Sequence, residues 1–111
     1  MTDGLTRVLY RIVQTDPPTV RDFMSNAALG RPLLDPTPEK RRLWSGLSFW
    51  ATAAQARRNA RRFRSQGEFL ALVAIEVDGP IQVEKTRGPG HYTVWALPHA
   101  LLDRVVSVER V

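Results

Sequence analysis

The stretch Gly46-Leu47-Ser48-Phe49-Trp50-Ala51-Thr52-Ala53-Ala54-Gln55 decides the fold. Leu47 to Ala51 is too short and too aromatic for a helix and reads as a strand. Thr52 and Gln55 have the spacing of a capping box, a hydroxyl three residues ahead of an amide, so a helix starts where the strand stops. That helix carries Ala53, Ala56, Ala60 and Phe63 on one side and Arg57, Arg58, Arg61, Arg62 and Arg64 on the others, with Gln66-Gly67 ending it. A narrow stripe of small residues lets such a helix lie close against a sheet. Strand, tight junction and helix form one unit, and such a strand delivers polar or aromatic side chains to its end, where sites on sheets are built.

Upstream of this unit, Arg7 to Val13 alternates as a strand with one polar intrusion, Arg11. Thr15-Asp16-Pro17-Pro18 breaks it. Thr19 then caps a helix through Val20, Phe23, Met24 and Ala27, which Gly30 and Pro32 end, and residues 31–36 are loop. Pro38 behind Thr37 is proline at a first helical position, so a short helix runs to Leu43 or Trp44 and Gly46 stops it.

Downstream, Phe69 to Val77 is apolar apart from Glu76, as expected of an interior strand covered on both faces. Asp78-Gly79-Pro80 turns the chain into a return strand from Ile81 to Lys85. Arg87-Gly88-Pro89-Gly90 is a loop that lacks the spacing of a phosphate-binding loop and leads into no helix, so it reads as a rim. His91-Tyr92-Thr93-Val94-Trp95 is the next strand, Pro98 to Leu102 a helical turn, and Val105 to Val111 a last strand. The order β-α-α-β-α-β-β-β-α-β predicts an α+β fold with a largely antiparallel sheet and flanking helices.

Composition bounds the rest. The 111 residues show no internal repeat, and residues 1–111 are expected to form a single domain around one two-layer core. With 43% hydrophobic residues, three Trp and four Phe, that core needs no covalent staples. There is no cysteine, so disulfides and thiolate metal sites are excluded, and a reducing, cytoplasmic setting fits. The two histidines and scattered acids lack ligand spacing, and no metal is expected. Met1 to Arg7 lacks the apolar segment of a signal peptide, and no apolar run approaches the ~20 residues that span a bilayer, so no membrane partner is expected.

Sixteen Lys and Arg against eleven Asp and Glu give a net charge of +5, and fourteen of the sixteen are Arg. Guanidinium groups suit bidentate contacts with phosphate and carboxylate, although a high-GC bacterial genome produces the same bias without any such contact. Arg57, Arg58, Arg61, Arg62 and Arg64 read either as a patch for nucleic acid or an acidic protein, or as a solvated helix face whose long stems cover apolar surface. No base-reading motif is present.

Taken in order, Tyr10-Arg11, the Gly46 to Thr52 strand with Ala56 and Ala60 behind it, the strand Phe69 to Val77, and His91 to Trp95 ahead of Val105-Val106-Ser107-Val108 resemble the layout of small ADP-ribosyltransferase-like domains, of the RES and poly(ADP-ribose) polymerase catalytic kind. The resemblance covers most of the chain through short motifs, and it implies a split sheet and NAD as substrate. It implies catalytic roles for Arg11, as holder of the NAD ribose and phosphate, for Ser48, beside the nicotinamide ribose, and for His91, at the reacting centre. Tyr10, Arg11, Ser48 and Tyr92 form the implied cofactor-binding set, with Tyr92 as stacker. The function implied is transfer of ADP-ribose or degradation of NAD, in the manner of a toxin; the alternative is a non-catalytic module on the same fold, gripping nucleic acid or protein through Arg57 to Arg64.

One departure stands out. His91 occupies the place of the family's late acidic residue, and a cationic imidazole cannot neutralise a developing oxocarbenium centre, whereas a neutral one accepts a proton. Glu84, seven residues earlier, is the acid held in reserve for the missing charge. Each of the three also has a plainer reading: Arg11 as an edge residue, Ser48 as a small packing residue, His91 as a loop histidine that caps its strand. Trp50 and Trp95 read as core.

Overall fold

A computed structural model describes residues 5–111; Met1 to Gly4, which belong to the expected leaderless N-terminus, lie outside the described residues. Six strands, β1 (Thr6–Val13), β2 (Leu47–Trp50), β3 (Phe69–Glu76), β4 (Gln82–Lys85), β5 (His91–Trp95) and β6 (Val105–Arg110), form one antiparallel sheet in the order β4-β5-β2-β1-β3-β6. Three helices, α1 (Pro38–Trp44), α2 (Ala53–Arg62) and α3 (Pro98–Leu102), flank it. The α+β class and the antiparallel sheet expected from the sequence are what the chain forms.

The local signals act as their chemistry dictates. Thr52 Oγ1 accepts the Gln55 backbone N–H at 3.2 Å and fixes the first turn of α2. Thr37 Oγ1 does the same for Lys40 at 3.1 Å, ahead of Pro38. Gly46 is required by contact: a Cβ there would drive into the Thr93 methyl and the Trp95 indole.

The sheet is covered on both faces, so the single two-layer core becomes two clusters. On one face Leu9, Val13, Leu47, Phe49, Val73, Ile75 and Val94 pack with Phe23 and with Leu101 of α3. On the other, Ala56 and Ala60 let α2 rest on Ile12 and Leu70, beside Tyr10 and Trp50. β3 contributes to both, as an apolar interior strand must.

The helix expected after Thr19 is cut short. Only a single 3-10 turn, Val20–Phe23, forms, and Met24 is already extended. Ser25 takes over the following backbone, its Oγ accepting the Ala28 N–H at 3.1 Å, so the chain enters a separate turn closed by Gly30 at positive φ. Ser and Asn compete for backbone groups in this way and interrupt helices that apolar spacing alone would continue. Phe23, fully buried, anchors the short turn in the first cluster.

The feature that positions the site is the junction between β1 and β2. β1 pairs with β3 along its whole length, and β2 with β5 likewise, yet β1 and β2 meet only at Tyr10↔Trp50. Beyond that point the two halves of the sheet part.

Candidate functional site

The parting strands open a cleft of about 430 Å³. Arg11 to Thr15 form one wall, Trp44 and Gly46 to Ser48 the other; Asn26 and Arg31 of the turn after β1 and Arg87 of the glycine loop also line it. Cleft volumes of roughly 300–1,000 Å³ are those of small-molecule sites. Four arginines, Arg11, Arg21, Arg31 and Arg87, face one acid, Asp22, around it.

Asp22 is already committed. Its Oδ1 accepts the Gln14 N–H at 2.7 Å, and its Oδ2 accepts the Thr15 hydroxyl at 2.6 Å and the Thr19 N–H at 3.0 Å. The carboxylate therefore ties the loop after β1 together and leaves the arginines short of a counter-ion.

Arg11 bridges the gap. Its Nε donates to the Asp22 carbonyl at 2.9 Å and its Nη1 to the Ser48 carbonyl at 3.0 Å, while its guanidinium lies 5.8 Å from the centre of the Phe49 ring. Where the ladder between β1 and β2 has ended, a guanidinium supplies the donor that a strand N–H would have supplied. Among the described residues no carboxylate hydrogen-bonds it. Desolvation pulls its pKa down to about 10, against the pull of nearby Asp22 upward, and it stays cationic at neutral pH.

Ser48 and His91 form the second element. Antiparallel pairing sets Ser48 opposite Thr93 and Trp50 opposite His91, and all four side chains share one face. His91 Nε2 lies 3.1 Å from Ser48 Oγ, and Nδ1 lies 3.2 Å from the Thr86 carbonyl and 3.1 Å from the Thr86 hydroxyl. Nδ1 faces both oxygens of Thr86; protonated there, it donates to the carbonyl, and in that tautomer Nε2 accepts from the Ser48 hydroxyl. Thr86 Oγ1 is itself held by Thr93 Oγ1 at 2.7 Å. Trp50 closes over the imidazole edge-on, with centroids 4.8 Å apart. Burial, then the positive charge of Arg87, lower the His91 pKa, partly offset by the Thr86 carbonyl, so the ring is neutral at pH 7.

His91 is only 4% exposed and does not line the cleft; Ser48 is exposed and does. Ser48, whose hydroxyl meets the imidazole, is therefore the link between His91 and the cleft lining. Arg11 leaves β1 on the face of Leu9 and Val13, opposite the face of Ser48 and His91, and the two groups meet only through the Ser48 carbonyl.

The tyrosines of the implied cofactor set are elsewhere. Tyr10 packs beneath α2 with Ile12 and Trp50. Tyr92 lies on the far face of β5 against the first cluster, 5.5 Å beneath the Arg7 guanidinium. Neither lines the cleft; the aromatic rings that do are Trp44 and Trp50, and Trp44 is fixed there by an Nε1–H bond to the Arg31 carbonyl at 2.9 Å. Packing carries the correction: Tyr10 shares the face of Trp50 but is covered by α2, and Tyr92 shares the face of Arg11 but packs on the first cluster, whereas Trp50, two residues from Ser48, reaches the cleft.

Glu84, the reserve acid, is held by Arg42 of α1 through both oxygens, at 2.8 and 3.1 Å, and does not line the cleft. α2 ends at Arg62, short of the expected Gln66-Gly67, because Phe63 leaves helical backbone and Arg64 opens a 3-10 turn; Arg57 pairs with Glu109, whereas Arg58, Arg61 and Arg62 of α2 and Arg64 of the turn are exposed and have no ion pair among the described residues. No three His, Asp or Glu cluster as metal ligands, and no helix is long and apolar enough to cross a membrane, among the described residues.

The chain matches no known family model, no curated protein and no solved structure.

Proposed function

We propose that this chain is an NAD-binding, ADP-ribosyltransferase-like protein that transfers ADP-ribose or degrades NAD at the cleft between β1 and β2. One observation carries the reading: a cleft with a surplus of arginine is lined by a serine whose hydroxyl is hydrogen-bonded to a neutral histidine. A pyrophosphate-bearing ligand answers the charge of Arg31 and Arg87, and the indoles of Trp44 and Trp50 offer flat surfaces to its rings. The two three-stranded halves of the sheet, joined at Tyr10↔Trp50 alone, agree with the split sheet that the resemblance implies.

In this reading His91 acts as a base, because a neutral imidazole accepts a proton where the family's carboxylate would stabilise positive charge. The Thr86 carbonyl then holds the imidazolium that forms. Arg11 keeps β2 at its distance from β1 and adds its charge to the wall.

Calorimetric titration tests the reading. NAD binds the protein and adenosine, which lacks the phosphates, binds far more weakly; Arg31→Ala and Arg87→Ala each weaken NAD by about tenfold or more, since a bond to a charged group contributes roughly 1.5–3 kcal/mol. Equal affinities for NAD and adenosine would dismiss it.

A second reading rests on α2. Arg58, Arg61, Arg62 and Arg64 have no ion pair among the described residues and stand beside Phe63, which is 47% exposed with the Arg62 guanidinium 5.2 Å from its ring centre. Exposed cations around an aromatic ring suit a single-stranded nucleic acid. RNA affinity should then fall steeply between 50 and 200 mM salt, on the order of tenfold or more for a few phosphate contacts, and drop in the Arg58→Ala/Arg61→Ala/Arg64→Ala protein. Salt-independent binding that survives the triple substitution would exclude it.

A further inference from the structure

The geometry points to Ser48 as the nucleophile of the cleft: its Oγ attacks the anomeric carbon of NAD and becomes covalently ADP-ribosylated. This rests on the NAD reading above and goes past it, because that reading asks only that Ser48 touch the ribose.

Three observations converge on the hydroxyl. Ser48 is the member of the Ser48–His91 pair that lines the cleft, while His91 is shut behind it by Trp50. Nε2 lies 3.1 Å from Oγ, and in the tautomer that donates from Nδ1 to the Thr86 carbonyl it is unprotonated. A nucleophile, a base within hydrogen-bond reach and a third group that orients the base form the arrangement by which serine is activated in covalent catalysis. An external acceptor has no comparable access to Nε2, since Ser48 occupies it.

The step balances. The Ser48 Oγ–C1′ bond forms and the C1′–N bond to the nicotinamide ring breaks. The electron pair leaves with nicotinamide, which turns from a pyridinium cation into a neutral amide. The Ser48 proton passes to His91 Nε2, and the imidazolium is stabilised through Nδ1–H by the Thr86 carbonyl. The resulting glycosidic adduct on Ser48 is either the final state of the protein or an intermediate cleaved by water.

Intact-mass measurement of the full chain after incubation with NAD, with peptide mapping and calorimetry in parallel, tests this. The expected result is the mass of one ADP-ribosyl group on the peptide containing Ser48. The adduct is absent in Ser48→Ala, retained in Ser48→Thr, and formed at least about a hundredfold more slowly in His91→Gln, the usual scale for loss of a positioned base. A cooperative urea transition in Ser48→Ala and His91→Gln shows that both variants fold. NAD binding or turnover with no adduct trapped on Ser48, in steady state or after rapid acid quench, overturns the proposal and leaves the NAD reading standing. An adduct on another residue does the same. Absence of NAD binding by the unmodified protein overturns both.

Discussion

Replacing Arg11 with methionine separates a structural strap from a ligand contact. The side chain donates to two backbone carbonyls, of Asp22 at 2.9 Å and of Ser48 at 3.0 Å, at the one place where β1 and β2 lose their ladder. Methionine keeps the apolar stem and removes both donors. Leaving a buried acceptor unpaired costs roughly 1–3 kcal/mol, and the Ser48 carbonyl, which opens on the cleft and can turn to water, adds less. Against this stands relief of desolvation, the force that lowers the guanidinium pKa to about 10; access from the cleft keeps that relief below the value for a sealed interior. The balance is a loss of about 2 kcal/mol. For a chain of 111 residues this corresponds to a fall in Tm of about 8 °C. Differential scanning calorimetry of the unliganded protein measures it directly. A Tm within about 2 °C of the unmodified protein, together with weakened NAD binding, would refute the strap and make Arg11 a pure ligand group.

Other substitutions probe the frame around the cleft. Gly46→Ala puts a methyl into Thr93 and Trp95, and overpacking of this kind should lower stability by about 1–3 kcal/mol in urea denaturation without changing the fold. An unchanged midpoint would show that the Thr93 and Trp95 side chains yield freely. The buried His91 has a folded pKa below its ordinary value of 6.5, so between the two values the unfolded chain holds more protons and stability rises with pH, levelling above about 6.5. Denaturation at pH 5 and pH 7.5 should show the unmodified protein losing stability at the lower pH relative to His91→Gln; parallel losses would mean that the imidazole is not desolvated. Glu76, held at about 2 from an ordinary 4.5 by hydrogen bonds from Arg104, contributes stability that is present above about 4.5 and lost as pH falls toward about 2. Arg104→Met should raise the Glu76 pKa toward its ordinary value by NMR titration, and no change would assign the shift to the backbone instead.

Much of the frame is legible in the sequence because its signals are local. Thr52 with Gln55, Thr37 with Pro38, the apolar run into β3 and the Ala56/Ala60 stripe each act over one or two turns, and each forms the element its chemistry specifies. The helix after Thr19 fails for an equally local reason, Ser25 drawing the backbone into its own turn. Side-chain direction was legible as well: the period of two in a strand forbids Tyr10 from sharing a face with Arg11, or Tyr92 with His91, and it sets Trp50 beside Ser48. What the sequence does not carry is the register. Ser48 and His91 are 43 residues apart, and only the pairing of Trp50 with His91 brings their side chains together. The parting of β1 from β2, and the arginines that gather around the gap from three separate loops and strands, likewise depend on the assembled sheet.

The release of nicotinamide from NAD by the purified protein, compared with Ser48→Ala and Arg31→Ala, bears most directly on the cleft as a site of chemistry. Release by the unmodified protein that collapses in Ser48→Ala and slows in Arg31→Ala is the result expected here. Rates that are the same in all three proteins, whether high or at the level of buffer, would contradict it.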